Sequence, residues 1–182
     1  STPRTESYIQ INSDVRNFNS DIPVCVVHML GKGSINLTTT TESGILMAFD
    51  NDFGRSSLTN VPQVASRMGV HARGSSTINN PKTNLRLETW DEFNQDAKYP
   101  LLGMPSDSDW VFYGINGFDP GLMHNAIYQW LGRALGVPSM RTRFVEMYRK
   151  VDSGPVTTND YFGLYLLMET PKVGNDRLDI AT

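Results

Sequence analysis

The chain has 182 residues, 39% of them apolar and 10% aromatic, enough to bury a core and too many for wholesale disorder. Sixteen basic against 19 acidic residues leave a net charge of −3; with no basic block, this excludes a dedicated nucleic-acid binder, whose affinity rests on phosphate neutralisation. The single cysteine, Cys25, excludes a disulfide framework and any zinc site built on several cysteines. No apolar run approaches the ~20 residues of a membrane-spanning helix, so no membrane insertion is expected. No charged start followed by an apolar stretch marks a signal peptide.

In chain order, Ser7–Ile11 alternates polar and apolar residues as a half-buried strand does. Val24–Met29 is nearly continuously apolar, the pattern of a strand buried on both faces, with Pro23 placed before it where a missing N–H does least harm. Gly44–Phe49 predicts another short strand, and Asn36-Leu37-Thr38 is a glycosylation sequon. Val70–Arg73 and Leu85–Trp90 predict two strands joined by the polar connection Gly74–Thr83, and Trp110–Tyr113 a further strand. The clearest helix is Pro120–Leu135. Asp119 is placed to cap it, Pro120 to begin it, and Gly136 with Pro138 to stop it. Leu122, Met123, Ala126, Ile127, Trp130, Leu131, Ala134 and Leu135 form a stripe at helical spacing, expected to be core; His124, Asn125, Gln129 and Arg133 lie on the other face. Arg141–Tyr148 and Tyr161–Glu169 predict two last strands. The order predicts an α+β fold, a largely antiparallel sheet with one main helix over about 120–135. A β-rich lead-in over 1–69 and a second region over 70–182 are expected to form one continuous unit.

The three histidines, His28, His71 and His124, fall on different elements without metal-ligand spacing, so no metal site is expected. No nucleophile elbow, Walker A sequence or dinucleotide fingerprint is present. The segment His71–Lys82 carries more chemistry. Arg73 and Gly74 end a strand, Ser75 and Ser76 add donors, and Lys82 supplies a point charge, a combination suited to cradling phosphate. It is equally the composition of an ordinary polar hairpin loop.

Several blocks resemble the spore-coat CotH kinase family: Arg73-Gly74-Ser75-Ser76, Pro81-Lys82 and Leu85-Arg86-Leu87-Glu88; Pro100-Leu101-Leu102-Gly103-Met104-Pro105 and Asp109-Trp110-Val111. The likeness continues through Leu122-Met123-His124-Asn125 and Arg141-Thr142-Arg143-Phe144-Val145-Glu146. It closes with Gly163–Glu169 and Asn175-Asp176-Arg177-Leu178-Asp179-Ile180. The blocks follow the family's order over roughly residues 70–180. His124 stands where the family usually has arginine.

The resemblance implies an atypical protein kinase that uses ATP and a divalent metal, Mg or Mn, to phosphorylate serine in a partner protein. It implies that Arg73, Gly74, Ser75 and Ser76 cover phosphate, that Lys82 holds the nucleotide with Glu146 as its partner, and that Glu169 leads to the nucleotide hinge. Exposed strand-face charge is the other reading of both glutamates. The family's metal-binding and catalytic aspartates lie C-terminal to the last block, so no catalytic residue is assigned here. The chain is expected to be the N-terminal, nucleotide-lobe-like part of such a kinase, inactive by itself, from an extracellular or cell-surface protein. A non-catalytic surface binding or adhesion module is the alternative, and a carbohydrate-associated module, suggested by Trp90, Trp110 and Tyr113, is a third.

Overall fold

A computed structural model describes residues 8–35, 40–51, 54–174 and 177–178. The sequon at Asn36 and the acidic residues Asp176 and Asp179 of the closing block lie outside the described residues. Nine strands and one α-helix occur among the described residues: β1 (Asn19–Ser20), β2 (Val24–His28), β3 (Glu42–Phe49), β4 (Ser56–Ser57), β5 (Val64–Arg73), β6 (Asn84–Trp90), β7 (Asp109–Gly114), α1 (His124–Ala134), β8 (Thr142–Lys150) and β9 (Tyr161–Glu169). β1 and β4 form a separate two-stranded ribbon.

The other seven strands close into a barrel in the order β2-β3-β5-β6-β7-β9-β8. Every pairing is antiparallel except the closing one, where β2 runs parallel to β8 with Val24 opposite Glu146 and His28 opposite Lys150. Closure removes the free edges that an open sheet would present. The expectation of an α+β fold is therefore corrected. The molecule is mostly β, a closed barrel with one short helix, and not a kinase-like lobe of sheet plus main helix.

Period-two alternation sends one set of side chains inward. Cys25, Leu46, Met68, Leu87, Phe112 and Tyr165 meet inside the barrel in one buried cluster. One end is plugged by the turn Leu101–Gly103, whose Leu101 and Leu102 are fully buried. Leu102 adopts the left-handed region (φ 50°), a conformation costing about 1–2 kcal/mol for a residue with a Cβ. Its amide is satisfied by Gln63 Oε1 at 2.8 Å.

Two stretches of the barrel wall are apolar outside as well as inside. Val24, Val26, Ile45 and Met47 face outward beneath Val15, Leu58 and Val156, so β2 is buried on both faces, as its continuous apolar run predicts. The predicted strand Ser7–Ile11 is reduced, among the described residues, to a parallel bridge between Ile11 and Val156. On the opposite side Val111, Ile115, Leu166 and Met168 are covered by Ala126 and Met140.

The helix differs from expectation in extent and orientation. It starts at His124 rather than Pro120. Asp119 still serves its first turn, because Oδ2 accepts the His124 amide at 3.1 Å. It stops where Gly136 is placed. With Gly136 at φ 75°, its amide bonds to Arg133 O and that of Val137 to Gly132 O at 2.8 Å, the paired bonds of a Schellman cap. All of the stripe expected to be core except Ala126, which packs on the wall, faces solvent: no residue of α1 is buried, and Trp130 is 62% and Leu135 71% exposed. Apart from Ala126, the inward side is polar. Gln129 Oε1 accepts the Met140 amide at 2.9 Å, and Arg133 donates to the Met140 carbonyl. Gly132 permits this, because a Cβ there would lie 2.1 Å from Ser139 Oγ on the returning chain. Hydrogen bonds to the return segment, rather than apolar burial, set the helix's rotation.

Candidate functional site

Between α1 and the outer wall of β7 and β9 lies a groove of about 310 Å³. Its rim carries Arg73 and Gly74 from the end of β5; its apolar part is Val111, Met140 and Met168; Asn125 and Gln129 of α1 supply a polar edge. Gly74 is required by conformation (φ +119°) and by contact, since a Cβ would meet Thr77 Oγ1 at 2.4 Å. Of the residues expected to bind nucleotide, the groove gathers Arg73, Gly74 and Glu169. Ser75 and Ser76 are exposed in the same loop without lining it.

Lys82 and Glu146 do not line the groove; Lys82 follows the 74–81 loop beside the end of β7, and Glu146 lies mid-way along β8. Lys82 Nζ donates to the Leu164 carbonyl at 3.0 Å and sits 5.7 Å from the centre of the Tyr165 ring. A Cβ on Gly163 would come within 3.0 Å of that nitrogen. Partial burial lowers the lysine's pKa, and the Glu146 carboxylate works against that shift. Glu146, directly opposite Leu164 in the β8–β9 register, accepts from Ser20 Oγ at 3.3 Å and from the Tyr161 hydroxyl. Lys82 and Glu146 thus interact through space without closing an ion pair.

Glu169 is 2% exposed, which removes the strand-face reading. Its Oε2 accepts the Arg141 amide at 2.7 Å, and its Oε1 stands 3.0 Å from Arg141 Nη1 and 2.7 Å from Arg177 Nη1. Arg177 also places Nε 2.8 Å from Asp107 Oδ2 and its guanidinium 4.8 Å from the Trp110 ring centre. Lys172 bridges Asp107, at 3.0 Å, and Asp109, and Arg86 reaches Asp109 at 3.0 Å. Burial pushes the Asp107 carboxyl up, but the Asp109 amide, Lys172 and Arg177 outweigh it and bring it down to about 2.

This network was not foreseen. Five of its members (Arg86, Asp109, Arg141, Glu169 and Arg177) stand in five of the sequence blocks and two (Asp107 and Lys172) just outside them; the signal available was their charge. Their pairing needs distances that only the folded barrel sets. Since Asp107, Asp109 and Glu169 are each engaged by cations, they do not offer a free carboxylate site for a divalent metal. Among the described residues no three metal-ligating side chains gather.

A small, closed β-barrel domain, with a helix-flanked groove on its wall and a buried ion-pair network at one end, is the class these features define. The family model for the CotH kinase protein matches residues 70–178, more than half of the chain, and the chain belongs to the CotH kinase family. The matched stretch runs from within β5 to Leu178 and includes every member of the ion-pair network. No curated protein matches the chain.

Proposed function

We propose that this chain is the nucleotide-holding N-terminal part of a CotH-type kinase, which transfers phosphate from ATP to serine of a partner protein at an extracellular or cell-surface location. The observation that carries the reading is the groove, which sets Arg73 and the Gly74 backbone beside an apolar wall. A guanidinium binds phosphate oxygens through paired, charge-assisted hydrogen bonds. Val111, Met140 and Met168 offer the apolar surface that a planar base requires, and a groove of about 310 Å³ stands at the lower end of small-molecule sites. ATP supplies the transferable phosphoryl group; Arg73 and Gly74 would hold its phosphates, and Asn125 would orient it from the helix side. Asp107, Asp109 and Glu169 are already engaged by cations and do not suit Mg or Mn.

Titrating ATP into the chain, with Arg73→Ala beside wild type, tests the reading. Binding that saturates, and that weakens about tenfold or more in Arg73→Ala, is expected. Absence of binding, or binding indifferent to Arg73, overturns it in favour of the non-catalytic surface-binding module.

A further inference from the structure

The outward face of α1 is the most anomalous surface of the molecule. Ile127, Tyr128, Leu131 and Leu135 lie along one side of the helix, with Trp130 flanking them; their exposures run from 40% to 71%. Leu122 and Met123 before the helix and Val137 after it extend the patch, each 43% exposed or more. A monomer's largest apolar patch rarely exceeds ~300–600 Å². Eight large side chains exposed to this degree present an area on the order of the ~800 Å² that each partner buries in a stable interface.

We infer that this face pairs with the same face of a second copy of the chain, helix to helix and antiparallel about a two-fold axis. Three observations select a second copy. The area is what one partner of a stable dimer requires. The face carries no acidic or basic side chain except His124, whose Nδ1 is held 2.6 Å from Asp119 Oδ1, so apposing two identical faces brings no like charges together. The spacing is also self-complementary: Ile127, Leu131 and Leu135 form one i, i+4 ridge and His124 with Tyr128 the next, and two such ridges interdigitate in the commonest helix–helix packing. Antiparallel docking sets each helix's positive end beside its partner's negative end.

The inference is independent of nucleotide binding. Sedimentation equilibrium of the wild-type chain over a wide concentration range is expected to show a monomer–dimer equilibrium. Leu131→Glu, which apposes two carboxylates near the axis, should weaken it by about 100-fold or more while leaving the far-ultraviolet circular dichroism unchanged. Leu131→Cys supplies a second readout. Near the two-fold axis it should form an intermolecular disulfide on mild oxidation, whereas the fully buried Cys25 of wild type should not. A wild-type chain that stays monomeric up to its solubility limit overturns the inference and assigns the face to a different partner. A dimer that Leu131→Glu leaves intact, or that Leu131→Cys fails to cross-link, also overturns it.

Discussion

Lys82 and Asn116 grip each other through two hydrogen bonds of 3.0 Å: the Lys82 amide donates to Asn116 Oδ1, and Asn116 Nδ2 donates to the Lys82 carbonyl. The clamp fixes the end of the 74–83 loop against the end of β7, which is what sends the Lys82 side chain across to β9. Gly114 makes room for it, since a Cβ there would lie 2.1 Å from the Lys82 carbonyl oxygen. Gly114→Ala is therefore expected to destabilise the fold by about 1–3 kcal/mol. Gly117→Ala, where nothing lies within 4 Å, should stay within about 0.5 kcal/mol of wild type. Urea midpoints of the two variants check this, and equal midpoints would remove the clamp's role.

The ion-pair network makes an acid-stability prediction. Asp107 is held down at about 2 in the folded chain, against ~3.9 for an unperturbed aspartate. The unfolded chain therefore takes up the proton first, and stability present above pH ~4 is lost as pH falls toward ~2. Asp107→Asn should remove about 1–2 kcal/mol at neutral pH and flatten the acid limb. Chemical denaturation at a series of pH values tests it; an unchanged acid limb in the variant counts against the network.

His28 predicts a second, separate dependence. Its Nδ1 accepts the Leu30 amide at 3.0 Å, which requires that nitrogen to be unprotonated, and Leu30 sits in the left-handed region (φ 56°). Burial, then the Lys150 cation, lowers the histidine's pKa, while Asp152, Asp160 and the Gly154 backbone oppose them. Because the unfolded chain binds the proton more readily, stability should fall as pH drops below about 6.5. His28→Asn, whose side-chain oxygen can still accept from Leu30, should lose that slope between about pH 7 and pH 5. Parallel slopes for wild type and variant would show that His28 is not its source.

Two of the three tryptophans, Trp110 and Trp130, separate core from surface. Trp110 is fully buried and donates Nε1–H to the Asp107 carbonyl at 3.1 Å, so Trp110→Ala should cost about 3–5 kcal/mol or prevent folding. Trp130→Ala, measured at dilutions where the chain is monomeric, should cost under about 1 kcal/mol. Thermal unfolding of the pair distinguishes this arrangement from one in which the helix stripe is core, for which both losses would be large.

What the sequence determined by itself is local. Tyr161–Glu169 was legible to the residue and β2 nearly so, because dense apolar runs, rich in aromatic residues in the one and in valine in the other, admit few conformations other than a strand when turn residues bound them. Gly136 marked the helix end because a left-handed residue there costs glycine little. The resemblance found the family for a related reason: its blocks are contiguous words. The tertiary structure alone decided the rest. Closure of the barrel depends on a parallel pairing between β2 and β8, separated by more than a hundred residues, and no periodicity encodes which strand meets which. An apolar stripe states that a helix has two faces but not which is turned inward. Here the rotation was set by Gln129 and Arg133 bonding to residue 140, with Gly132 admitting the return segment. In the sequence Glu169 reads as a hinge residue or as an exposed strand-face charge; only folding brings Arg141 and Arg177 to it, and a carboxylate's burial is tolerable only where such partners arrive together.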